Sequence, residues 1–237
     1  MSGWRGGRAL LLTGCLLLTG CSGTSAAPSN SPAPTPVADC VSDNEQRTGG
    51  LEIPGVDGYH FDAVVLGTGN TGVVLANQSD GDLCQWKPYA DELTRKGYRV
   101  LVFNYSGGNS GKDVLSAANT LRQRGIQRLF LIGASMGGTS VLNAAPQVQP
   151  PIAGVVSLSA PQIYRGVDAS DPVKTLTLPA LFIVGQFDGD FPDDTQALYD
   201  TCVSRDKKLS IQPTGGHGVG LINEKVDGLI LDFLASP

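Results

Sequence analysis

Ser135 stands in Gly133-Ala134-Ser135-Met136-Gly137, a serine framed by glycines in the pattern G-x-S-x-G. A serine hydroxyl attacks a carbonyl only when a base takes its proton, and the base in turn needs a carboxylate to hold its tautomer. The chain holds two histidines, His60 and His217. His217 lies in the glycine-rich run Thr214-Gly215-Gly216-His217-Gly218, whereas His60 falls inside an apolar strand pattern and reads as a structural or exposed strand residue. For the acid, Asp188 comes first after an apolar run, in Gly185-Gln186-Phe187-Asp188. Asp190, Asp193 and Asp194 compete with it, but the placement of Asp188 between Gly185 and Pro192 suits a tight loop better. Ser135, Asp188 and His217 together would supply a nucleophile, an orienting acid and a base. No CxxC or HxxxH spacing occurs, so no metal site is expected.

Three residues so far apart in sequence need a scaffold that aligns loop ends. Short apolar, β-branched runs alternate with helical patterns, the sequence form of a parallel sheet with crossover helices and an αβα layering. Tyr59–Leu66 and Gly72–Leu75, separated by Gly67 to Thr71, read as an antiparallel hairpin. Strands are expected at 98–103, 128–132, 152–158, 180–184 and 208–212. Helices are expected at 86–96, 114–124, 136–145, 195–203 and 220–234. Several of the strands are apolar throughout, as when both faces of a sheet are covered. Ser135 then sits where a strand runs straight into a helix of small residues, a sharp turn that demands glycine-sized neighbours. Asp188 and His217 each follow a later strand, at the carboxyl edge where such sheets bind ligands. The connection from Ser159 to Pro179 is short, which predicts an open site.

These motifs give the chain a family resemblance. With Gly133-Ala134-Ser135-Met136-Gly137-Gly138, Gly185-Gln186-Phe187-Asp188 and Gly216-His217-Gly218 in this order, residues 55–234 resemble the α/β-hydrolases, close to lid-less members similar to dienelactone hydrolases and small esterases. The run from Phe103 to Ser110 also resembles the family's loop after its fourth strand. The resemblance implies about eight strands, mostly parallel with the second antiparallel, and little or no lid. It implies Ser135, Asp188 and His217 as the catalytic residues, an oxyanion site made by the backbone N–H of Met136 with that of Gln78 or Ser79, and no cofactor. Two departures stand out. Asn77-Gln78 replaces the family's usual His-Gly after the third strand, and Ser135 stands where dienelactone hydrolases proper carry cysteine. The activity implied is hydrolysis of a carboxylic ester, small or presented on a surface. A thioesterase or peptidase could use the same residues. A catalytically silent lipoprotein that binds a ligand or partner is the reading from another class.

The amino terminus has its own chemistry. Arg5 and Arg8 precede an apolar run from Ala9 to Leu18, too short to span a bilayer, and Leu18-Thr19-Gly20-Cys21 resembles the lipobox of bacterial lipoproteins. Residues 1–20 are expected to be a signal peptide, Cys21 the lipidated first mature residue, 21–39 a Pro/Ser-rich tether and 40–237 the catalytic domain. The chain would then be exported and held by lipid alone on the outer face of the cytoplasmic membrane. Loss of Arg5 and Arg8 shifts the formal charge from −5 to −7, which argues against nucleic-acid partners. A monomer is expected. Cys40, Cys84 and Cys202 remain for one disulfide; three pairings satisfy the count, and Cys40–Cys84 would tie the domain's start to an early loop.

Overall fold

Ser42 opens the first helix with a reciprocal cap: its hydroxyl accepts from Glu45 N–H, while the Glu45 carboxylate accepts from Ser42 N–H at 2.9 Å. In this computed structural model, which describes Met1 and residues 37–55 and 58–236, helix α1 (Asp43–Gly49) leads directly into strand β1 (Gly50–Pro54). The signal peptide, the lipid site at Cys21 and most of the tether expected from the sequence lie outside the described residues. Val37 and Ala38, the end of that expected tether, pack against the core.

The chain continues through β2 (His60–Leu66), β3 (Thr71–Ala76), α2 (Lys87–Arg95), β4 (Arg99–Phe103), α3 (Ser110–Gln123), β5 (Arg128–Ala134) and α4 (Met136–Ala144). It then forms β6 (Gly154–Leu158), a small ribbon of β7 (Ile163–Tyr164) with β8 (Val167–Asp168), then β9 (Ala180–Gly185), α5 (Phe191–Thr201), β10 (Lys207–Gln212) and α6 (Glu224–Ala235). Eight strands make one sheet in the order β1-β2-β4-β3-β5-β6-β9-β10. β2 runs antiparallel to both its neighbours and the remaining pairs are parallel. This is the expected αβα architecture.

The expected hairpin between β2 and β3 is not formed. β4 lies between them, and the antiparallel partners of β2 are β4 and the unforeseen β1. The physical reason is burial. Gly72 to Ala76 are buried on both faces, so β3 needs a strand on each side and covering on each face, which a two-stranded hairpin does not supply. Alternation along β3 sends Val74 and Ala76 to one core and Val73 and Leu75 to the other. The first core is closed by Val114 and Leu121 of α3, Val141 and Leu142 of α4 and Leu198 of α5. The second is closed by Leu93 of α2 with Ile230 and Phe233 of α6, and by Trp86.

Register then decides where the loops emerge. Ala76 pairs with Gly133, Ala134 with Leu158, Leu158 with Ile183, and Gly185 with Gln212. The strands therefore end nearly flush, and Asn77, Ser135, Ser159, Asp188 and His217 all leave the sheet along one carboxyl edge. Among the described residues no helix is long and apolar enough to cross a membrane.

Candidate active site

Ser135 occupies the turn between β5 and α4 with φ 52° and ψ −117°, a region that side chains rarely adopt and that costs roughly 1–3 kcal/mol. Bonds on both sides hold it there. Ser135 N–H donates to Leu158 O at 2.8 Å, extending the β5–β6 ladder, and Ser135 O accepts from Thr139 N–H at 3.0 Å, starting the helix. The glycines make the turn sterically feasible: a methyl at Gly133 would strike the backbone of Gly137, and one at Gly137 would strike the backbone of Ala76. A methyl at Gly138 would meet Ala160, so α4 lies close against the sheet. Ser135 is 7 % exposed.

Asp188 and His217, named from the sequence as acid and base, lie against each other. His217 Nδ1 lies 3.0 Å from both carboxylate oxygens of Asp188. The carboxylate is nearly enclosed while the imidazole stays partly open to solvent, and the Phe191 ring packs against the imidazole at 4.3 Å between centroids. Ser135 Oγ makes no hydrogen bond to His217 among the described residues; hydrogen bonds of this kind often tighten only once substrate is bound. The competing acids lie elsewhere in the loop. Asp190 precedes α5, Asp193 and Asp194 sit in its first turn, and Asp194 accepts from Gln162 Nε2 at 2.7 Å. His60 is an exposed residue at the start of β2.

One participant has no counterpart in the sequence reading. Ser159, fully buried with φ 50°, follows β6, as Ser135 follows β5. Its hydroxyl donates to Asp188 Oδ2 at 2.6 Å and accepts from Gly218 N–H at 3.0 Å, joining the acid loop to the backbone just after His217. Nothing local distinguishes it from Ser157; only its place at the end of β6 marks it.

The loop after β3 departs from expectation in one respect. Gln78 N–H is not free to serve an oxyanion, because it donates to Gln85 Oε1 at 3.0 Å. Met136 N–H, at the first position of α4, lacks an intrahelical acceptor as every helix start does. Ser79 is exposed beside it. Both border a cleft of about 300 Å³ whose walls include Asn77, Tyr105, Tyr164 and Arg165. Tyr164, Arg165 and Val167 come from the ribbon within the short 159–179 connection, so that segment walls the cleft rather than merely crossing it. Tyr105 O–H donates to Asn77 O at 3.1 Å and is pushed well above the usual phenol range by burial. Cys40 and Cys84 are joined as a disulfide with their Cα atoms 5.7 Å apart, and Cys202 is a buried thiol whose pKa burial also pushes up. No cluster of three or more metal-ligating side chains occurs among the described residues.

With this geometry in place, comparison defines the class. The alpha/beta hydrolase fold family matches residues 62–201, and the chain belongs to that family. Solved structures agree on the fold. An esterase of Pyrococcus furiosus superposes with a TM-score of 0.67 at 16% identity, covering 78% of this chain and 89% of its own. An esterase of Thermogutta terrifontis gives 0.63 at 17%, covering 78% and 97%. The enol-lactonase of Burkholderia xenovorans gives 0.64 at 17%, covering 78% and 100%. No curated protein matches the chain in sequence.

Proposed function

We propose that this protein is a serine hydrolase that transfers the acyl group of a carboxylic ester to water. The observation that carries the reading is the His217–Asp188 pair together with a strained Ser135 that leaves the sheet at the same carboxyl edge. His217 takes the proton from Ser135 Oγ as it attacks the ester carbonyl, and Asp188 fixes the tautomer and stabilises the imidazolium. Met136 N–H and a second N–H from the loop after β3 receive the negative oxygen of the tetrahedral intermediate. The intermediate collapses as His217 protonates the departing alcohol, leaving Ser135 acylated. His217 then deprotonates a water that attacks the acyl-enzyme, and Ser135 recovers its proton. Every step uses this chain's own side chains and backbone.

The esterase and lactonase activities of the structural neighbours, as their names give them, favour an oxygen ester over a thioester or peptide. The substrate is a small or surface-presented ester. The lipobox at Cys21 supports export, acylation and attachment to the outer face of the cytoplasmic membrane, with residues 21–39 as tether and the hydrolase acting as a monomer.

Treating the purified full chain and its Ser135→Ala variant with a fluorophosphonate probe tests the reading. One adduct is expected in the unmutated protein, located on Ser135, with none in the variant. p-Nitrophenyl acetate hydrolysis should fall by about three orders of magnitude or more. A folded, unlabelled, inactive native protein would favour the binding role instead.

A further inference from the structure

The loop from Asn77 to Gly81 carries Asn77-Gln78 in place of His-Gly, and side-chain amides hold it at several points. Gln85 Oε1 accepts from Gln78 N–H at 3.0 Å, and Gln85 Nε2 donates to Asp80 Oδ1 at 2.9 Å. An amide whose oxygen meets an N–H and whose nitrogen meets a carboxylate has one orientation that satisfies both ends. Asp80 is held below the usual carboxylate range, chiefly by that bond from Gln85. Gly81 leaves the space the Gln85 amide fills, because any side chain there would collide with it.

Gln85 is itself firmly mounted. It ends the helical turn Leu83–Gln85, in which Leu83 N–H donates to Asn104 Oδ1 at 3.0 Å and Cys84 N–H to Asp82 Oδ1 at 2.8 Å. Cys84 is also bonded to Cys40. From the other side Gln78 Oε1 accepts from Val219 N–H at 2.7 Å, two residues beyond His217. The loop after β3 is thus clamped between a disulfide-anchored turn and the histidine loop.

We propose that Gln85 is a positioning residue for the oxyanion site: by occupying Gln78 N–H it holds the loop so that Ser79 N–H, with Met136 N–H, receives the developing negative charge. This rests on the serine-hydrolase reading.

Two substitutions in the full chain test it. Gln85→Met keeps length and bulk and removes both hydrogen bonds. Its kcat for p-nitrophenyl acetate is expected to fall about 10- to 100-fold, the range of a weakened oxyanion donor, with KM within about threefold and the melting temperature within a few degrees. Amide exchange over residues 77–81 should accelerate. Gln85→Glu keeps the acceptor for Gln78 N–H but sets a carboxylate against Asp80. Its activity relative to the native protein should recover as pH falls and the new carboxyl regains a proton to donate, a response that a purely structural role would not give. Native kcat in a folded Gln85→Met protein overturns the proposal, and so does unchanged exchange over 77–81. A native protein that takes no fluorophosphonate defeats the hydrolase reading, and the exchange measurement then judges the brace by itself.

Discussion

At the scale of single residues, Ser159 offers a way to separate support of the acid from support of the fold. Its hydroxyl is shared between Asp188 and Gly218 N–H, so its loss leaves Asp188 Oδ2 with His217 alone and the buried Gly218 N–H without that acceptor. Ser159→Ala and Ser159→Gly are both expected to lose about 10- to 100-fold in kcat/KM on p-nitrophenyl acetate, because both lack the hydroxyl. They should differ in stability. At φ 50° a methyl side chain is strained by roughly 1–2 kcal/mol and glycine is not, so the glycine variant should be no less stable in thermal melts. Equal activity in the two variants and the native protein would remove Ser159 from the site. The residues legible in sequence were those with a local mark: Ser135 with its glycines, His217 as the loop histidine, Asp188 first after its strand. Ser159 and Gln85 act through partners 29 and 7 residues away, and no local pattern records such contacts.

Elements show the same division between local and distant causes. The central strands were legible because they are apolar on both faces, and α2 because its buried positions recur at helical spacing and Gly97 ends it. Two helices begin about one turn before the sequence suggests. α3 starts at Ser110, capped by Asn109, whose side chain accepts from Lys112 N–H at 3.0 Å; the glycines around it disguised the start. α5 starts at Phe191 with Pro192 in its first turn and Asp193 and Asp194 beside the positive end of the helix dipole, signals present but outweighed by its polar look. β1 was missed because only Leu51 and Ile53 mark it as a strand. The first turn of α3 also buries a charge. Asp113 is fully buried and accepts from Ser106 N–H and Oγ, both at 2.9 Å, fixing the loop after β4. Burial raises its carboxyl above the ordinary 3.8 more than those bonds lower it. A carboxyl raised in the fold binds its proton more tightly there than in the unfolded chain, so its contribution to stability is full below 3.8 and is lost as pH climbs through the raised value. Denaturant titrations between pH 4 and 8 should show that decline in the native protein and a smaller one in Asp113→Asn. Identical slopes would mean Asp113 is not the group responsible.

For the molecule as a whole, the Cys40–Cys84 disulfide closes 44 residues that include α1, the antiparallel β1–β2 pair and β3. Chain-entropy arguments give such a closure at most about 4 kcal/mol, acting chiefly on the unfolded state. Reduction should therefore lower the unfolding free energy by about 2–4 kcal/mol, measured as an earlier guanidinium midpoint with and without dithiothreitol. A midpoint unmoved by reductant would show that the crosslink adds nothing to stability. The same sheet ends on two strands with a neighbour on one side only, β1 and β10. An unpaired strand edge is a template onto which another polypeptide can add, and repeated addition is how fibrils grow. Here β10 turns the charged Lys208 outward, and β1 closes with Pro54, which has no N–H to offer an incoming strand. Each edge thus carries a feature that discourages a second copy from extending the sheet, although β10 also exposes Ile211.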